Sequence, residues 1–155
     1  MNKQSIALFL LPAIALGLSI LAWLDKKPSE DMAYLLAEPS NCQLHQSACS
    51  VLQDNLKIEL DITPKPIPLA KALDINAKII GVVPTRVQLD INGSNMYMGY
   101  NRIDLVQQAD GGWIGKTLLA FCTIDQMSWQ ITLMIDTDDG KQVQVPFPLI
   151  TPYKP

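Results

Sequence analysis

Trp129-Gln130-Ile131-Thr132-Leu133-Met134-Ile135 sets a large apolar side chain at every second position. A period of two belongs to a half-buried β-strand, whose successive side chains point to opposite faces. Asp138-Asp139-Gly140 follows as a turn, and Val143, Val145 and Phe147 resume the alternation. The two runs read as a β-hairpin. Pro146, Pro148 and Pro152 mark the final segment as an edge strand or a tail, because proline donates no hydrogen bond to a ladder.

The same period extends upstream. Leu56, Ile58, Leu60 and Ile62 alternate with Lys57, Glu59 and Asp61, and Thr63-Pro64-Lys65-Pro66 ends the run. Ile75, Ala77 and Ile79 share one face of a second run. Val87, Leu89 and Ile91 form a third, closed by the turn signal Asn92-Gly93. Residues 96–100 and 103–106 read as two further short strands, with Gly99 as a bulge between them. Ala109-Asp110-Gly111-Gly112 is a hairpin signal leading into a strand over 113–123. Seven or eight short strands with no long helix between them predict an all-β fold. The expected architecture is an antiparallel β-sandwich of the immunoglobulin-like or cupredoxin-like kind over residues 48–155.

The amino terminus has a different character. Residues 6–23, IALFLLPAIALGLSILAW, carry no charge. As a helix they would extend roughly 27 Å, close to the thickness of a bilayer's hydrocarbon core. Lys3 precedes the run, Asp25, Lys26 and Lys27 follow it, and Trp23 stands where an interfacial aromatic would stand. The small-x-small trio Ala13-Ile14-Ala15 falls inside the apolar run rather than after it, which favours an uncleaved signal anchor over a cleaved signal peptide. Residues 1–24 are therefore expected to be a single transmembrane helix. The short lead and the cysteine spacing are expected to leave the carboxy-terminal domain outside the membrane, in an oxidising space. Residues 25–47 read as a linker. Within it Ser29 and Asp31 could open a short helix through Ala37, the alternative being an irregular stalk.

Composition excludes several function classes. The 155 residues carry 12 Lys+Arg and 15 Asp+Glu, for a net charge of −3, and 48% are hydrophobic. A nucleic-acid surface needs clustered cations, so nucleic acid is not an expected partner. His45 is the one histidine, which makes a Ser-His-Asp site or a multi-histidine metal site hard to assemble. No glycine-rich loop opens a helix, and Asp136, Asp138 and Asp139 lack the twelve-residue pattern of a calcium loop. The chain reads as a non-enzyme.

Two stretches carry residues suited to chemistry. Cys42 and Cys49, seven apart, can close a small disulfide loop; alternatively both thiolates and His45 could surround a soft metal. A thiol oxidoreductase would need a reactive cysteine, and no CxxC opens a helix here. The second stretch is Asn95-Met96-Tyr97-Met98-Gly99-Tyr100-Asn101-Arg102. On a strand, Met96 and Met98 would share a face, and two thioethers form a neutral site that prefers Cu(I) to hard ions. Met127 could approach them, and Cys122, in an apolar run, could add a thiolate or act as a buried small hydrophobe. The alternative for the methionines is core filling. Tyr97 and Tyr100 are candidates for partner contact, and Arg102 could hold an internal carboxylate such as Asp90 or Asp104.

The run from Met96 to Arg102, followed by a cysteine segment and Met127-Ser128-Trp129, resembles small membrane-anchored periplasmic proteins of the FixH and YtkA-like group. The resemblance covers about residues 85–130 and the anchor. It implies one membrane helix followed by a small β-sandwich, and a role in copper handling or in assembling a respiratory metalloenzyme. The implied partners are a respiratory oxidase or a copper-delivery protein. The implied metal ligands are Met96, Met98, Cys122 and Met127.

Overall fold

The structure is a computed structural model that describes residues 33–121 and 125–152. The expected anchor, the proposed helix start at Ser29 and Cys122 lie outside the described residues. The chain divides into two units, Met1–Glu30 and Asp31–Pro155, and the second contains every described residue.

That unit is all-β. Its strands are β1 (Ala33–Leu35), β2 (Cys49–Gln53), β3 (Leu56–Thr63), β4 (Leu73–Ile80), β5 (Pro84–Gly93), β6 (Arg102–Asp104), β7 (Val106–Gln107), β8 (Trp113–Thr117), β9 (Gln126–Thr137) and β10 (Gln142–Pro152). They form two five-stranded sheets, ordered β1-β10-β9-β5-β6 and β2-β3-β4-β8-β7. Every pairing is antiparallel except that of β1 with β10. The inward rows of both sheets contribute to one hydrophobic core, giving a β-sandwich-like fold.

The alternating runs are the centre of that core. Ile58, Leu60 and Ile62 of β3 face inward with Leu73, Ile75 and Ala77 of β4. In the other sheet Val87, Leu89 and Ile91 of β5 pair with Ile135, Leu133 and Ile131 of β9. On the other side of β9, Leu133 and Ile131 pair with Val145 and Phe147 of β10. The Trp129 indole satisfies its one donor inside the core, bonding Thr151 Oγ1 at 2.9 Å.

The chain changes sheets between β4 and β5 at Gly81, whose φ is +103°. A Cβ there would stand 2.2 Å from the Asn55 carbonyl oxygen, so only glycine fits the crossing.

Four expectations are revised. The segment read as a helix or stalk contains strand β1: Ala33, Tyr34 and Leu35 lie parallel to Gln142, Val143 and Gln144, and Leu36 N–H donates to Gln144 O at 2.9 Å. An exposed tripeptide with no alternation of its own is extended here because β10 offers it a ladder. The described residues hold ten strands where seven or eight were expected, since β1, β6 and β7 are pieces of two or three residues. Residues 96–100 form no strand, and the strand from Trp113 ends at Thr117.

The prolines of β10 have a clear role. Gln144 O accepts from β1 and Ile150 O accepts from His45, so the even-numbered residues turn their backbone groups away from β9. β1 covers only Gln142–Gln144, which leaves the rest of that flank as a sheet edge. Pro146, Pro148 and Pro152 stand at even positions and remove three of its four donors, which discourages pairing with foreign strands.

The β9–β10 turn holds a charged clasp. Lys141 Nζ and the Thr137 hydroxyl each lie 2.5 Å from an oxygen of Asp139. These bonds, Lys141 first, lower the Asp139 carboxyl to about 2. A depressed carboxyl contributes stability that is present above the unfolded value and lost as pH falls through the folded one. Wild type is therefore expected to unfold at a higher temperature than Asp139→Asn at pH 5, with the gap closing as pH approaches 2. Melting followed by circular dichroism checks it; a gap independent of pH contradicts it.

Candidate functional site

The candidate residues that are described gather at one end of the sandwich. Register fixes which connections meet there. Gly93 pairs with Trp129, Pro152 with Gln126, and Leu73 with Thr117. The connections 94–101 and 64–72, residues 118–121 and the Cys42–Cys49 loop therefore share that end, tied by Asn101 to Leu118 O (3.0 Å), Ala70 N–H to Leu119 O (2.8 Å) and His45 to Ile150 O (2.7 Å).

Cys42 and Cys49 form a disulfide. That uses both thiolates of the alternative metal set. His45 is occupied as well: its Nδ1 accepts from Ile67 N–H at 3.1 Å, so Nε2 carries the proton and donates to Ile150 O. Lys65 completes the clamp. It donates to Leu44 O (2.8 Å) and Ile62 O (3.0 Å) and pairs with Asp61 at 2.8 Å. The disulfide loop thus staples the entry of β2 to the end of β3 and to the edge of β10.

The methionine loop is built differently from the expected strand. Met96 and Met98 do not share the face of a ladder; Met96 closes a run of bends at 94–96 and Met98 follows it in an irregular connection. Gly99 turns it with φ +82°. The loop nevertheless brings Met98 to Met127. A Cβ placed on Gly93 would lie 2.8 Å from Met127 Cε and 3.2 Å from Met98 Cγ, so both side chains crowd the same bare backbone. The Met96 carbonyl oxygen lies closer still, at 2.1 Å from that point. Met127 is 2% exposed, Met98 is half-buried and Met96 is 41% exposed. The three thioethers thus grade from core to surface.

Tyr97 and Tyr100 are 84% and 76% exposed on the same loop. The Arg102 guanidinium lies 5.5 Å from the centre of the Tyr100 ring, a cation–π contact. It also bonds Asp90 Oδ1 at 3.1 Å, so Asp90 is the internal carboxylate and Asp104 instead pairs with Arg86. The bond to Asp90 raises the Arg102 guanidinium above its ordinary value, against the opposing effect of burial. Asn92 Nδ2 supplies a second donor to Asp90 at 2.6 Å, leaving that buried carboxylate well satisfied.

Sequence reasoning did not single out Asn95 as a structural element. Its Nδ2 donates to Gln126 O (2.9 Å) and its Oδ1 accepts from Ser128 N–H (3.1 Å). Asn101 acts similarly at the far end of the loop, donating to Leu118 O and accepting from the Thr117 hydroxyl at 3.1 Å. Their partners lie 31 and 17 residues away in the chain, beyond the reach of any local signal.

A cleft of about 450 Å³ opens at the same end between His45, Ile67, Lys71, Phe121 and Pro152. A cavity of about 500 Å³ lies on the outer face of the second sheet, beside Asp61, Asp74, Ile114 and Lys116, and includes none of the candidate residues. No protein-family model and no curated protein matches this chain.

Proposed function

We propose that this protein is a membrane-anchored periplasmic accessory protein that binds Cu(I) and serves the assembly of a respiratory metalloenzyme. In this reading residues 6–23 anchor the chain in the inner membrane, and the sandwich is of immunoglobulin-like or cupredoxin-like kind. Met96, Met98 and Met127 supply thioethers and Cys122 a thiolate. The observation that carries it is the crowding of Met98 and Met127 on Gly93, with Met96 on the same loop. Thioether and thiolate sulfur are soft donors that select Cu(I) over hard ions. A graded site, with one ligand near the surface, suits an ion that must be passed on. The protein acts without catalysis, as a holder and donor of the ion to an oxidase or to a copper-delivery protein.

The test is Cu(I) titration of the full-length chain in detergent against a chromophoric Cu(I) chelator. One ion per chain is expected. The double variant Met96→Leu/Met98→Leu should bind more than about tenfold more weakly, a change of about 1.4 kcal/mol or more, with its circular dichroism unchanged. Unchanged affinity removes the site.

The exposure of Tyr97 and Tyr100 favours a second reading, a metal-free protein-binding module of a membrane complex. Exposed tyrosines offer large contact area at low entropic cost. In that case the methionines pack the loop, and the double variant alters partner capture with no copper signal to lose.

A further inference from the structure

We propose that Asn95 and Asn101 are the positioning residues of the methionine site, holding its loop against both stems of the connection that carries Cys122. This rests on the copper reading above and goes beyond it by assigning the groups that organise the ligands.

Asn95 replaces a strand. The two backbone groups it binds, Gln126 O and Ser128 N–H, belong to the residues on either side of Met127. In a parallel ladder one peptide bonds the residues flanking the one it faces, and here a side-chain amide does so. Ser94 N–H adds a bond to Ser128 O at 2.7 Å. The residue immediately before Met96 is thereby fixed to the residues surrounding Met127. The loop's spacing from Met127 follows from three hydrogen bonds, two of them made by Asn95.

Asn101 does the same at the other stem. Its amide bonds Leu118 O and the Thr117 hydroxyl at the end of β8, and its own carbonyl accepts from Ile91 N–H at 2.9 Å. One residue therefore joins β5 of the first sheet to β8 of the second. The connection 118–125 leaves β8 beside Asn101 and enters β9 beside Asn95. The methionine loop is thus bonded to both stems of that connection, Thr117 and Leu118 on one side and Gln126 and Ser128 on the other, while Cys122 itself lies outside the described residues.

A binding site assembled this way is preorganised, since the cost of ordering the loop is met by these bonds rather than by the ion. Groups that orient metal ligands typically change affinity by about 10- to 100-fold when removed.

The experiment compares wild type, Asn95→Ala, Asn95→Asp and Asn101→Ala as full-length chains, using Cu(I) and a competing chromophoric chelator, with ascorbate to keep the ion reduced. X-ray absorption counts the sulfur neighbours of bound copper. Ile58→Val, a core deletion in the second sheet away from the loop, serves as the stability control. Asn95→Ala and Asn101→Ala should each weaken Cu(I) binding by about 10- to 100-fold and lower the sulfur count. Asn95→Asp, which keeps the acceptor for Ser128 N–H, should fall between. Ile58→Val should bind as wild type does. Asparagine variants with wild-type affinity and sulfur count overturn the positioning role and leave the copper reading standing. An equal loss in Ile58→Val reduces the effect to stability and also overturns it. A wild-type chain that takes up no Cu(I) overturns the copper reading and the positioning role together.

Discussion

Phe147→Ala is expected to destabilise the domain by about 3–5 kcal/mol, the range for truncating a buried phenylalanine. Phe147 is fully buried on β10, paired with Ile131 of β9. Pro146 and Pro148 flank it, and their fixed φ limits how far the strand can shift to fill the space. A cavity there should stay open, which puts the cost at the upper part of the range. Total stabilities of about 5–15 kcal/mol are typical, so this single change would remove a large fraction. Ile150→Ala on the same strand provides the contrast. Its side chain is exposed, and less than about 1 kcal/mol is expected. Urea unfolding followed by tryptophan fluorescence measures both, with Trp113 and Trp129 buried in the same core. Equal costs at the two positions would mean that β10 does not close the core as described.

That hairpin is also where the sequence was most legible. β3, β4, β5, β9 and β10 each show a clean period of two, because one face of each is buried and the other meets solvent. The turns at Asp138-Asp139-Gly140 and Asp110-Gly111 were readable for a separate reason: Gly111 and Gly140 both take positive φ. The Cys42–Cys49 disulfide is one of the two readings that the seven-residue spacing allowed. What failed was the inference from alternation to strand at residues 96–100. Met96 and Met98 alternate with Tyr97, yet Tyr97 and Tyr100, of opposite parity, are both exposed. Among the described residues no second strand supplies a ladder there, and asparagine amides hold the backbone instead. β1 fails in the opposite sense: its extended form is set by Gln142–Gln144, more than a hundred residues later, and by nothing in Ala33–Leu35 itself. The proximity of Met127 to Met98 was readable only as an expectation that depended on which strands pair. It is realised through the β5–β9 ladder, which sets Gly93 opposite Trp129.

Gly93→Ala should show how closely that ladder and the proposed copper site are joined. Gly93 is the last residue of β5, and its backbone is approached from three directions. An alanine methyl would meet the Met96 carbonyl at 2.1 Å, where real Cβ contacts do not occur, and Met127 Cε and Met98 Cγ at 2.8 and 3.2 Å. The two thioether chains can rotate aside, but the carbonyl belongs to the backbone. The loop must therefore move away from β5 and β9, against the bonds of Ser94 and Asn95 to the start of β9. Overpacking of this kind costs about 1–3 kcal/mol. Displacing Met96 and Met98 from Met127 should also weaken Cu(I) binding by about tenfold or more, as expected when the groups that hold ligands are disturbed. Gly111→Ala separates the two effects. Gly111 lies in the β7–β8 turn at the opposite end, with φ +84° and open space around a Cβ. Its substitution costs about 1–2 kcal/mol of backbone strain and touches no methionine. Denaturant unfolding and Cu(I) competition on the three chains should therefore place wild type and Gly111→Ala together in affinity and apart in stability, with Gly93→Ala low in both. Gly93→Ala with wild-type affinity would mean that the ion does not depend on the contact between the loop and Met127, and the ligand set would have to be sought elsewhere in the chain.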